Sequence, residues 1–218
     1  MKIDLHVHTS EVSQCGQLPA REIVRLYKEA GYDAIVITNH FERGTAGHFE
    51  RHGMNDFFKV HKDGLKLAQD AGKEYGILVL GAYELRFNEN FNDYLVFGMP
   101  DEMAKDYNKL FEMRPREFSK LAQENGILFY QAHPFRNGMV INRPDYLFGI
   151  EIHNGHPDHD SRNDIAKMWA EKYNLHMIGG SDCHHAGGVG KSGIITDANV
   201  RNMDDLVEVL RNDNYTII

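Results

Sequence analysis

The chain of 218 residues has only two cysteines, Cys15 and Cys183, one tryptophan and six prolines. Two cysteines cannot build the disulfide framework of a secreted mini-domain, so a reducing, cytoplasmic setting is the default expectation. No run of about 18 apolar residues is present to span a bilayer, and a strand pattern that begins at Lys2 predicts no signal peptide. Basic residues are also scarce: 24 Lys and Arg stand against 32 Asp and Glu, for a formal charge of −8. Binding to extended nucleic acid needs clustered cations and stacking aromatics, and no such stripe occurs, so this partner is disfavoured. Repeats, low-complexity tracts and linkers are missing too, which predicts one domain over residues 1–218 and no membrane partner.

What the chain has in excess is histidine, thirteen in all, and their positions follow the secondary-structure rhythm. Apolar runs at Ile3–Val7, Asp33–Thr38, Ile77–Glu84, Tyr94–Gly98, Ile127–Ala132, Gly149–His153, His176–Gly180 and Gly193–Ile195 read as strands. Helical spacing marks Leu18–Ala30, Phe57–Gly72, Pro115–Asn125, Asp164–Tyr173 and Asp204–Leu210 between or after them. Strands alternating with helices predict an α/β fold with a parallel sheet, and seven or so units predict a closed or nearly closed barrel, with a doubly wound open sheet as the alternative.

The first strand, "KIDLHV", then becomes informative. Residues two apart share a face, so His6 and His8 should point together while Ile3, Leu5 and Val7 face the helices. Asp4 has the parity of His6 and is expected to accept a hydrogen bond from a ligating imidazole. Cys183, between Asp182 and His184, should turn away toward the helix layer. Other strands end on Asn39 and His40, on Glu84, on His133, and on Ser181, Asp182 and His184. Ends of parallel strands converge on one mouth. One histidine there is most simply a solvated residue, but five histidines with a glutamate and an aspartate read as a multi-metal site. Imidazole with carboxylate suits Zn, Mn or Fe, and a carboxylate can bridge two ions.

In order, "DLHVHT", "IVITNH", the glutamate of "GAYELRF", "QAHP" and "GGSDCHH" resemble the successive motifs of the polymerase and histidinol phosphatase (PHP) family, over residues 3–184. The resemblance implies a distorted seven-stranded, TIM-like β/α barrel, two or three divalent ions at the C-terminal ends of the strands, and hydrolysis of phosphate esters. It further implies that His6, His8, Glu84 and Asp182 surround a first ion, that Glu84 bridges to a second held by His133, and that His40 and His184 ligate a third. Asp93, in "NDYLVFG", aligns with a further ligand of the second ion. The pattern is broken at Ser13, where the family usually has Asp or His, at Asn39, where it commonly has Asp, and at Asp93, where it has His. Cys15, near Ser13, reads as an incidental cysteine, with thiolate ligation as the alternative.

Metal ions that activate water leave no need for a side-chain nucleophile. Cations near the mouth should anchor the phosphate: Arg136 after His133 and Lys191 after "SDCHH", with Asn154 as a polar contact. His185 is a candidate general acid for the leaving group. The segment "FERGTAGHFERHGMNDFF" is long enough to form a lid, although solvated loop and helix is the plainer reading. "HHAGGVGKS" imitates a phosphate-binding P-loop but has His185 where that motif needs glycine, so no ATP site is expected. The sequence therefore points to a metal-dependent phosphoesterase acting on a small phosphorylated metabolite or nucleotide. The alternatives are a non-catalytic metal-binding regulatory module and a PHP-type exonuclease.

Overall fold

The computed structural model describes all 218 residues. In chain order the strands are β1 (Lys2–Val7), β2 (Ala34–Ile37), β3 (His40–Phe41), β4 (Leu78–Gly81), β5 (Tyr83–Arg86), β6 (Asp93–Phe97), β7 (Leu128–Gln131), β8 (Gly149–Asn154), β9 (His176–Gly180), β10 (Ile194–Ile195) and β11 (Thr216–Ile217). The helices are α1 (Ala20–Glu29), α2 (Arg43–Arg51), α3 (Phe57–Tyr75), α4 (Asp101–Lys105), α5 (Tyr107–Glu112), α6 (Pro115–Glu124), α7 (Asn163–Tyr173) and α8 (Met203–Arg211). No helix is long and apolar enough to cross a membrane.

Local chemistry sets the helix ends. Asp56 accepts from Lys59 N–H to start α3, which stops at Gly76 in the left-handed region (φ 68°). Asn202 caps α8 through Asp205 N–H, and Pro115 opens α6 where a missing N–H costs nothing. Within the segment read as solvated loop and helix, with a lid as the alternative, Glu42 accepts from Gly44 and Thr45 N–H and starts α2, whose Phe49 packs on Phe57. His61, in α3, is buried.

The strands form two mixed sheets, in the orders β11-β10-β1-β2-β4 and β3-β5-β6-β7-β8-β9. The expected α/β class holds, but the distorted seven-stranded β/α barrel is met only as a mixed α/β fold. Eleven strands are present, β6 runs antiparallel to both β5 and β7, and the two sheets do not close on each other. The short connection between Arg86 and Asp93 explains part of this, because the six residues between them allow a hairpin and leave no room for a crossover helix. The sheets approach each other at the end of β1, where Val7 bridges Cys183, His8 N–H donates to Cys183 O (3.0 Å) and Cys183 N–H donates to His6 O (3.2 Å).

The expected facing of β1 also needs correction. Asp4 pairs with Ile35, but Val7, not His6, pairs with Ile37, so one extra residue is accommodated between them. This bulge reverses the alternation. Ile3 and Leu5 join a cluster drawn from the strands, with Ala34, Val36, Leu95 and Ile178, and from α8. Val7 packs on the opposite side with Ile23, Val24 and Tyr27 of α1 and Ala68 of α3. Asp4 is turned to that helix side before the bulge, while His6 and His8 face inward after it. Cys183 packs with the Val7 group, as its position between Asp182 and His184 predicts.

Candidate metal centre

The strand ends deliver their polar residues to one place. His6 lies in β1 and His8 just beyond it; His40 opens β3, Glu84 lies in β5, His133 follows β7, and Asp182 and His184 follow β9. Asp93 arrives from the other direction, since β6 runs antiparallel to β5 and its first residue lies beside Arg86 at the rim where β5 ends.

Two carboxylates organise the cluster. Glu84 Oε1 lies 3.2 Å from His6 Nε2 and 3.1 Å from His133 Nε2; its Oε2 lies 3.4 Å from His8 Nε2 and 2.8 Å from His40 Nδ1. Asp182 Oδ1 lies 3.4 Å from both His6 and His8 Nε2 and 3.1 Å from His184 Nε2. Four overlapping groups of donors result: His6, His8 and Asp182; His6, Glu84 and His133; His40, Glu84 and Asp93; and His8, Cys15, His40 and His184. Within each, the donor atoms lie within 4.8 Å of one another.

The donor set fits divalent metal ions. His6 Nε2, His8 Nε2, His40 Nδ1, His133 Nδ1 and Glu84 Oε2 are all buried without a hydrogen-bond partner. Each such orphan costs about 1–3 kcal/mol, and those of His6, His8, His40 and Glu84, which sit within the cluster, call for a cationic ligand; His133 meets Glu84 through its other ring nitrogen, Nε2. Electrostatics agree. Burial opposes ionisation of every member, yet the facing charges overcome it: Glu84 and Asp182 are held well below the usual carboxylate range, and His6 and His40 well above the usual imidazole value. His184 is likewise raised to about 9 against its burial by Asp182 and Cys15. His8 moves the other way, pushed well down by burial and by the neighbouring His184. The thiol of Cys15, an exposed residue with its sulfur 4.0 Å from His184 Nε2, is lowered to about 6 because His184 and His40 outweigh its partial desolvation.

Outer partners fix the tautomers. His6 Nδ1 donates to Glu151 Oε1 (2.9 Å), so that in the neutral ring a metal ion requires, the Nε2 lone pair faces the centre. Glu151 Oε2 accepts from the backbone N–H of His133 and from Asn154 Nδ2, both at 2.9 Å. Behind His8, Nδ1 meets Ser13 Oγ at 3.0 Å, and Ser13 donates to Asn39 Oδ1 at 2.9 Å. Asn39 is in turn held by Thr9 N–H and Thr9 Oγ1. Sequence reasoning missed Glu151, although a lone carboxylate between Ile150 and Ile152 of an apolar strand was a usable signal. Asp4 does not meet an imidazole ring: it accepts from His6 N–H, Ser181 N–H and Tyr27 Oη, and burial raises it to about 6. The bulge that turns it outward explains this.

The remaining sequence candidates lie around the cluster. Arg136 Nη2 donates to Asp182 Oδ2 (2.6 Å), Asn154 Oδ1 (2.8 Å) and Ser161 Oγ (3.3 Å). Asn154 Nδ2 also donates to Asp182 Oδ2, at 3.1 Å. Asp93 receives a bidentate pair from Arg86 at 2.7 and 2.8 Å, with its Oδ2 3.9 Å from His133 Nε2. Lys191 is exposed and uses its backbone N–H on Ser181 Oγ. His185 donates Nε2–H to Asp158 (2.9 Å) while Nδ1 accepts from Gly187 N–H. Two members carry unusual backbone: His133 (φ 29°) and Asp182 (φ 49°) both occupy positive φ, a strain that polar sites concentrate.

Comparison with known proteins follows the same lines. A family model described as PHP-associated matches residues 160–215, the stretch that carries α7, β9, Asp182, His184 and α8. No curated protein matches in sequence. Among solved structures, PsfC from Pseudomonas syringae is similar at a TM-score of 0.68 and 17% identity, covering 99% of this chain and 90% of that one. A candidate metal-dependent phosphoesterase from Bifidobacterium adolescentis is similar at 0.56 and 16%, covering 95% of each chain. Endonuclease Q, solved on a 27-mer duplex with an abasic lesion, is similar at 0.61 and 11%, covering 97% of this chain and 56% of that one. At these identities the likeness is one of fold.

Proposed function

We propose that the chain is a PHP-type metal-dependent phosphoesterase that hydrolyses a small phosphorylated metabolite or a nucleotide, a reading that the matched segment and the shared fold support. The observation that carries this reading is the convergence of unpartnered, buried imidazole and carboxylate atoms on Glu84 and Asp182. In this reading His6, His8, Glu84 and Asp182 hold one of two or three Zn, Mn or Fe ions. Glu84, His133 and Asp93 hold another, and His40 and His184 belong to a third.

Divalent ions in such a centre supply Lewis acidity, activating water as the nucleophile and neutralising charge on the phosphoryl oxygens. The chain's own residues do the positioning. Glu151 and Ser13 hold the His6 and His8 rings with Nε2 inward, and Arg136 and Asn154 hold Asp182 Oδ2 so that Oδ1 faces the imidazoles. Arg136, Lys191 and Asn154 supply the cations and the amide for the phosphate, and His185 supplies the proton for the leaving oxygen. The charge of −8 favours a substrate small enough to be gathered by the centre alone over an extended strand. A single domain over 1–218 in the cytoplasm, where the free thiols of Cys15 and Cys183 persist, completes the proposal.

The test is phosphate release by metal-loaded protein from phosphomonoesters, mononucleotides, a phosphodiester and oligonucleotides, with His8→Ala as control. Metal-dependent release from the small esters, lost in the variant, is expected. Faster turnover of oligonucleotides would favour the nuclease. Full metal loading with no hydrolysis across the panel would favour a binding module.

A further inference from the structure

One cluster in the molecule mixes sulfur with nitrogen. Cys15 Sγ, His40, His184 and His8 place their donor atoms within 4.8 Å of one another, on the side of the centre away from His133. The loop that carries Cys15 is built to hold it there. Ser10 N–H donates to Leu18 O (2.9 Å), Gly16 N–H to Ser13 O (2.9 Å) and Gln17 N–H to His184 O (2.7 Å), so the loop is tied both to itself and to the strand end that bears His184. Gly16 passes so close to Thr9 that a Cβ there would come within 2.9 Å of its carbonyl carbon. The neighbouring hydroxyl is not available as a donor, because Ser13 Oγ is already engaged by His8 Nδ1, His40 N–H and Asn39 Oδ1. Two buried atoms in the group, His8 Nε2 and His40 Nδ1, have no hydrogen-bond partner.

We infer that Cys15 is a thiolate ligand of one ion of this centre, with His40 and His184 as its imidazole partners. The inference rests on the metal-centre reading above and adds the identity of a donor and the class of ion. A tetrahedral ion with nitrogen and sulfur at about 2.0 and 2.3 Å needs donors about 3.5 Å apart, so the present separations require only a small contraction of the Cys15 loop. A soft sulfur beside imidazoles selects Zn(II), or Co(II) as its stand-in, over hard ions that prefer oxygen, such as Mg(II) or Mn(II). The mixed centre would hold one such ion beside positions that pair imidazoles with the carboxylates of Glu84 and Asp182. Cys183 is no competitor, since it is buried with the Val7 group on the helix side.

X-ray absorption on the zinc-loaded protein tests this directly. The wild type should show a zinc–sulfur shell at about 2.3 Å, and Cys15→Ser should lose both that shell and one zinc equivalent per chain. Cys15→Asp should regain the equivalent with oxygen in place of sulfur. Zinc should also protect the wild-type thiol from alkylation. Full zinc loading with only nitrogen and oxygen neighbours, and unchanged alkylation, would overturn the cysteine assignment while leaving the centre standing. Failure of the wild type to bind zinc above the level of His8→Ala would overturn both.

Discussion

Glu151 touches no candidate donor position of the centre, yet it sets two of them: it receives the His6 ring proton and the His133 amide. Glu151→Gln keeps the shape but presents an NH2 group to one of these two donors. Partners of this kind typically account for 10–100-fold in metal affinity, and a loss of about that size is expected in a chelator-competition titration; unchanged affinity would contradict the role. His61 gives a prediction independent of metal. It donates Nε2–H to Asn39 O at 3.2 Å, and burial pushes its pKa down to about 4. Unfolded, it titrates near 6.5. Between those values the unfolded chain binds more protons, so this contribution to stability is present above about pH 6.5 and is lost as pH falls toward 4, by at most about 3 kcal/mol. Urea denaturation of wild type and His61→Gln at several pH values should show the wild type losing ground to the variant as pH falls. A difference that stays constant with pH would contradict the assignment.

At the level of elements, the first strand and its neighbour β9 carry the design. Gly180 faces His6 so closely that an added Cβ would collide with His6 Cβ and lie 3.0 Å from His6 N. Gly180→Ala should therefore cost about 1–3 kcal/mol through overpacking and should lower metal content by displacing His6. Wild-type melting temperature with full metal content would contradict this. The same strand shows what was legible in the sequence and what was not. Strand ends could be read because apolar runs stop at His, Glu and Asp, and the residues after them do meet. The facing of β1 could not, because a bulge between Asp4 and Val7 is a pairing property that single-strand alternation does not encode. Closure was misjudged for a related reason: the hairpin of β5 and β6 makes part of the sheet antiparallel, and α2, β3 and β11 are too short or too weakly periodic to read. Ser13 and Asn39 looked like defects in a motif, whereas in three dimensions they form the hydrogen-bonded support of His8.

Across the whole molecule, the centre sits where the two sheets meet, at the bridge from Val7 to Cys183. Its donors come from both sheets, with His6 in one and Glu84 in the other. Ions bound among these donors should couple the sheets and stabilise the native state by about 3 kcal/mol at a free metal concentration 100 times Kd. A melting temperature that rises with zinc or manganese in the wild type and not in His8→Ala is expected; equal shifts in both would place the binding elsewhere. The proposed function makes this cluster a metal centre for phosphate-ester hydrolysis. Its most direct test is inorganic phosphate release from a small phosphomonoester panel as chelated protein is titrated with metal. Activity is expected to be zero without metal, to rise in step with the equivalents bound and to be abolished in His8→Ala. Release that is independent of metal, or no release at full occupancy, would contradict it.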